Sequence, residues 1–138
     1  MQTEIPGEAV DVPGEALVIR FRPTEPGSVL KRASLEFRRI GRYRLSVFAA
    51  VKHSGETDAD LRRRLLKASE LSGMDPANHR KYYVCTRAEE LLARGLAFYK
   101  DGDDDERDEH YSVDLGTDAT HEDVERFLEV FGPAEERY

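Results

Sequence analysis

Tyr43-Arg44-Leu45-Ser46-Val47-Phe48-Ala49-Ala50-Val51 is the stretch on which the fold turns. Side chains of a strand alternate between its two faces, and the inner part of this one is apolar on both. Such a strand is covered above and below, so it belongs inside a sheet with helices on either side. Upstream, Leu17-Val18-Ile19-Arg20-Phe21-Arg22 alternates, with Leu17, Ile19 and Phe21 on one face and Arg20 and Arg22 on the other, until Pro23 ends it. Between the two strands, proline at 26 opens a helix whose apolar side is Val29, Leu30, Ala33, Phe37 and Ile40, and Gly41 is placed to close it.

Downstream, Thr57 with Asp60 three residues later makes a capping box, in which each side chain accepts from the other's unpaired amide. Leu61, Leu65, Ala68 and Leu71 follow at helical spacing up to Gly73. A short strand over Tyr82–Cys85 leads to a second box, Thr86 with Glu89, and a helix stopped by Gly95. Leu96–Lys100 and His110–Leu115 read as a hairpin around an acidic loop. Thr120 with Asp123 is a third box, starting a last helix with Val124, Phe127, Leu128 and Phe131 facing inward.

The order β-α-β-α-β-α-β-β-α is that of an α+β or layered α/β domain. The expected sheet is mixed, with some parallel pairs, a C-terminal antiparallel hairpin and a final helix. One domain spans residues 15–133. Residues 1–14, which hold the near-duplicates Ile5-Pro6-Gly7-Glu8-Ala9-Val10 and Val12-Pro13-Gly14-Glu15-Ala16-Leu17, read as a flexible tail, as do residues 134–138. Ile19, Phe21, Phe37, Val47, Leu65, Val84, Leu91, Phe98, Val113, Phe127 and Phe131 are expected to share one core.

The chain has 138 residues, 39% apolar and 36% charged, with a net charge of −7. No apolar run is long enough to span a bilayer, and the N-terminus has no secretory pattern, so the expectation is a soluble cytoplasmic protein. A single cysteine, Cys85, excludes an internal disulfide and a cysteine-based zinc site. Charge is unevenly spread: Val18–Lys67 holds 13 basic and 5 acidic residues, whereas Lys81–Tyr138 holds 7 basic and 17 acidic. Charge divided in this way steers charged partners.

Asp101, Asp103 and Asp105 have the first spacings of a calcium loop. Glu106 stands where that loop needs glycine, and Ser112 where it needs a bidentate carboxylate, so only weak metal candidacy remains. His110, Ser112 and Asp114 share the polar face of one strand, about 7 Å apart, and need another segment to complete a relay; Tyr83 is the candidate. Cys85, ahead of a helix start, is weighed as an activated thiol against a packed small residue. Phosphate-cradling glycine loops, dinucleotide fingerprints and His-Glu-x-x-His are all missing, and no cofactor is expected. Three functions compete. The first is an interaction or regulatory module binding a protein through charged faces, with Arg38, Arg39, Arg62, Arg63 and Arg64 as contact residues. The second is a small hydrolase, nuclease or transferase centred on His110, Ser112 and Asp114. The third is a nucleic-acid binder using the Arg-rich first half.

Overall fold

The computed structural model describes residues 9–21, 25–71, 82–100 and 109–136. Its elements are β1 (Ala9–Val10), β2 (Leu17–Phe21), α1 (Pro26–Ile40), β3 (Tyr43–Ala50), α2 (Asp58–Leu71), β4 (Tyr82–Arg87), α3 (Ala88–Leu92), β5 (Ala97–Lys100), β6 (His110–Gly116), α4 (His121–Glu129) and β7 (Glu135–Glu136). The strands form one sheet in the order β1-β5-β6-β3-β2-β4-β7. The fold is α+β. Every pairing among the described strands is antiparallel, so the parallel pairs expected from alternating strands and helices are not formed.

β3 is central, as its two apolar faces require, between β6 and β2. Leu45, Val47 and Ala49 join a cluster with Val29 and Ala33 of α1, Leu91 of α3, Phe98, Val113, and Val124 and Phe127 of α4. Phe48 points the other way, into a cluster with Leu17, Ile19, Phe21, Tyr83 and Leu61, Leu65, Leu66 and Ala68 of α2. The single core expected from the sequence is therefore two cores, one on each side of the sheet. Phe37 contributes to neither: it is 37% exposed and stacks on Tyr43 at 4.6 Å between ring centroids. Val84 is buried but lies outside both clusters, and Phe131 packs on the α1/α4 core only partly buried. Arg20 does not line a solvated face either. It is 6% exposed, donates from Nη1 to the Ser46 carbonyl at 2.8 Å, and lies 5.9 Å from the Phe127 ring centroid.

Local signals set most element ends. Glu25 caps α1 by accepting from the Gly27 and Ser28 amides, and Gly41, at φ 78°, closes it by donating to the Phe37 carbonyl. The boxes at Thr57/Asp60 and Thr120/Asp123 both form. The one expected at Thr86/Glu89 does not. β4 continues through Arg87, pairing Thr86 with Val18 and Arg87 with Leu17, and α3 starts at Ala88 with no side-chain cap.

Both expected tails have anchored portions. Ala9 and Val10 pair with Tyr99 and Phe98, and Val12 is buried. At the other end Glu135 and Glu136 pair with Tyr83 and Tyr82, and the Gly132 amide donates to the Cys85 carbonyl. Among the described residues, the strand at each sheet edge is two residues long. Among the described residues, no helix is long and apolar enough to cross a membrane.

The loop entering α2 is held by an ion pair that sets an expected pH response. Arg64 donates from Nε and Nη2 to Glu56, at 2.9 Å each, and from Nη2 to the Val51 carbonyl at 2.6 Å. Glu56 also accepts from the His53 amide at 2.7 Å. The Arg64 guanidinium first, and then that amide, hold the Glu56 carboxyl down at about 2 against its ordinary 4.5. A carboxyl depressed by folding stabilises the folded state above its ordinary pKa and loses that contribution as pH falls through the folded one. The melting-temperature gap between the wild-type chain and Glu56→Gln is therefore expected to be constant near neutrality and to close as pH falls from about 4.5 toward about 2. A gap unchanged by pH would contradict this role.

Candidate functional site

The strand face carrying His110, Ser112 and Asp114 lies on the α2 side of the sheet, opposite Val113. Register sets Phe48 against His110, Ser46 against Ser112 and Arg44 against Asp114, with Ala97 and Tyr99 of β5 beyond. This brings together a polar group whose partners differ from those expected. His110 stacks flat on Phe48, with 4.7 Å between centroids and 11° between planes, and its Nε2 is 2.6 Å from Ser46 Oγ. Asp114 orients no imidazole. It accepts from Arg42 Nε and Nη2 at 3.0 and 3.1 Å, from Arg44 Nε at 3.2 Å and from the Gly116 amide at 2.6 Å. Ser112 is 3% exposed. The three residues share a face, but Asp114 is committed to arginines and the hydroxyl facing His110 belongs to Ser46.

Ser46 was not singled out from the sequence, and Arg44 only as one of the first half's basic residues that could meet phosphates. The available signal was their position: two polar side chains on one face of an otherwise apolar central strand require polar partners on the next strand.

Tyr83 is not part of this group. β2 and β3 separate its strand from β6, which puts it about 14 Å away across three strand spacings. It is buried beside Phe21, and burial raises its phenol pKa above the ordinary value. On the same strand, Cys85 Sγ donates to Glu135 Oε2 at 3.4 Å. Burial first, then that carboxylate, push the thiol pKa up, which keeps it protonated rather than activated. The amides expected to help it are also displaced, because α3 begins three residues on.

The candidate contact arginines separate onto opposite sides of the sheet, since α1 packs in one core and α2 in the other. On α2, Arg62 pairs with Glu135 at 2.8 Å, Arg63 reaches Asp60 at 3.4 Å, and Arg64 is only 22% exposed in its Glu56 pair. Arg64 is a structural tether, not a free surface charge. On α1, Arg39 pairs with Glu36 at the surface, while Lys31, Arg32 and Arg38 are exposed and form no ion pair among the described residues. At about 100° per residue, Lys31, Arg32, Leu35, Arg38 and Arg39 cover one contiguous third or so of the helix. Leu35, in the middle, is 54% exposed.

Asp101, Asp103 and Asp105 lie outside the described residues; among those described, no cluster of His, Cys, Asp and Glu is arranged to hold a metal ion. A depression of about 100 Å³ sits between Arg94, Leu96, Leu115, Asp123, Arg126 and Phe127, on the sheet side opposite His110. No protein-family model matches the chain, and neither does any curated protein or solved structure.

Proposed function

We propose that the protein is an interaction module whose α1 surface docks an acidic segment of a partner protein that carries an apolar residue. The observation behind this reading is the exposed face of α1, where Leu35 projects among Lys31, Arg32, Arg38 and Arg39. An exposed leucine ringed by cations suits an apolar contact at the centre with charge pairing at the rim. The contrast with α2 supports the choice of surface, because each of its arginines already has a carboxylate neighbour. Cations without such neighbours set association rates most directly, and their effect is screened over about 8 Å at physiological salt.

Reversing Lys31 and Arg38 to glutamate is expected to slow association with the native partner at least tenfold and leave the melting temperature within a few degrees of wild type. Reversing Arg63, which is exposed on the other side of the sheet, is expected to change association little. Association kinetics with the partner captured by the full chain from nuclease-treated native lysate measure both. Equal effects at the two sites, or a partner lost on nuclease treatment, would sink the reading; the latter outcome would favour nucleic acid.

A further inference from the structure

The Arg42–Asp114–Arg44 group is one acceptor short. Asp114 receives four hydrogen bonds, two at each oxygen, from Arg42, Arg44 and the Gly116 amide. A carboxylate offers about four lone-pair directions, so it has no room for a fifth donor. Arg44 Nη2 is nevertheless buried and has no hydrogen-bond partner among the described residues. The side chain around it is only 7% exposed, with its guanidinium carbon 4.0 Å from the Tyr99 ring centroid. Stacking satisfies the flat face of the guanidinium but not the N–H groups in its plane. Two guanidinium groups also share a single carboxylate; Arg42 is 37% exposed and meets solvent, so the unmet demand lies at the buried Arg44. A buried polar N–H is normally matched by an acceptor.

We propose that this polar sheet face is a binding site for an oxyanion, a phosphate or carboxylate group of a small ligand, with Arg44 Nη2 as its buried donor. The group supplies the missing acceptor for Nη2, and its negative charge strengthens that hydrogen bond. Ser112 and the Ser46–His110 pair lie on the same face, along the strands from Arg44, and supply polar surface beside it. The described helix on this side, α2, packs on β2 and β3. The half-buried Tyr99 ring therefore covers Arg44, and ligand entry requires that ring to turn aside.

Inorganic phosphate is the first probe and acetate the second, each against sodium chloride at matched ionic strength. Phosphate, acetate or both are expected to raise the melting temperature of the full chain saturably by several degrees, and which one does so identifies the oxyanion. Arg44→Met is expected to abolish the rise. If that variant fails to fold, the guanidinium nitrogen resonances of wild-type Arg44 give the answer, since they are expected to shift along the same saturation curve. A response no larger than that to chloride, or resonances of Arg44 unmoved by either anion, would overturn the assignment.

Discussion

Truncating Phe127 to alanine is expected to cost about 3–5 kcal/mol, the range for emptying a fully buried aromatic site. For a domain of this size that lowers the melting temperature by roughly 10–20 °C. Phe127 is completely buried in the core between the sheet and α1/α4, tilted against Phe131 at 5.2 Å. It also lies near the Arg20 guanidinium on the interior strand β2, so its loss opens a cavity beside a buried charge. The two cores share only the sheet. Phe127→Ala is accordingly expected to add to Leu65→Ala, on the other side, within about 0.5 kcal/mol. A melting curve unchanged by Phe127→Ala would mean that α4 does not pack where it is described.

Asp114→Ala is the second large effect, expected at about 3 kcal/mol or more. Its carboxylate is 4% exposed and binds two arginines, of which Arg44 is itself 7% exposed. Removing the shared partner leaves a guanidinium buried without its counter-charge, which costs more than the intact pair contributes. Replacing both members with apolar side chains, Arg44→Met with Asp114→Leu, is therefore expected to recover much of the loss. Denaturant unfolding of the single and double variants separates these outcomes. A loss below about 0.5 kcal/mol for Asp114→Ala, the usual size for a surface change, would contradict the group's buried role.

What the sequence disclosed and what it hid divide by the range of the interactions. The boxes at Thr57/Asp60 and Thr120/Asp123 and the cap at Gly41 are settled within a few residues, so they could be read directly. The Thr86/Glu89 box has the same local pattern. There, pairing of Thr86 with Val18 and Arg87 with Leu17 holds the backbone extended, and tertiary pairing overrides the local preference. The antiparallel sheet was hidden for a related reason: periodicity identifies a strand but not its neighbour. The site was half legible. Alternation placed His110, Ser112 and Asp114 on one face, but only the register of β6 against β3 brings Ser46, 64 positions away, to His110 and two arginines to Asp114. The run Arg62-Arg63-Arg64 misled in another way. Successive helical residues point in different directions, so the three reach Glu135, Asp60 and Glu56 separately and form no single basic patch.

Photo-crosslinking from α1 tests the docking account most directly. A photoactivatable residue replaces Leu35 in the full chain, with a control at Arg63 on the other side of the sheet, and both are irradiated in the native cell. One dominant protein adduct is expected from position 35, mapped to an acidic segment, absent from position 63 and lost when Lys31 and Arg38 are reversed to glutamate. No adduct from position 35, or the same adducts from both positions, would contradict it.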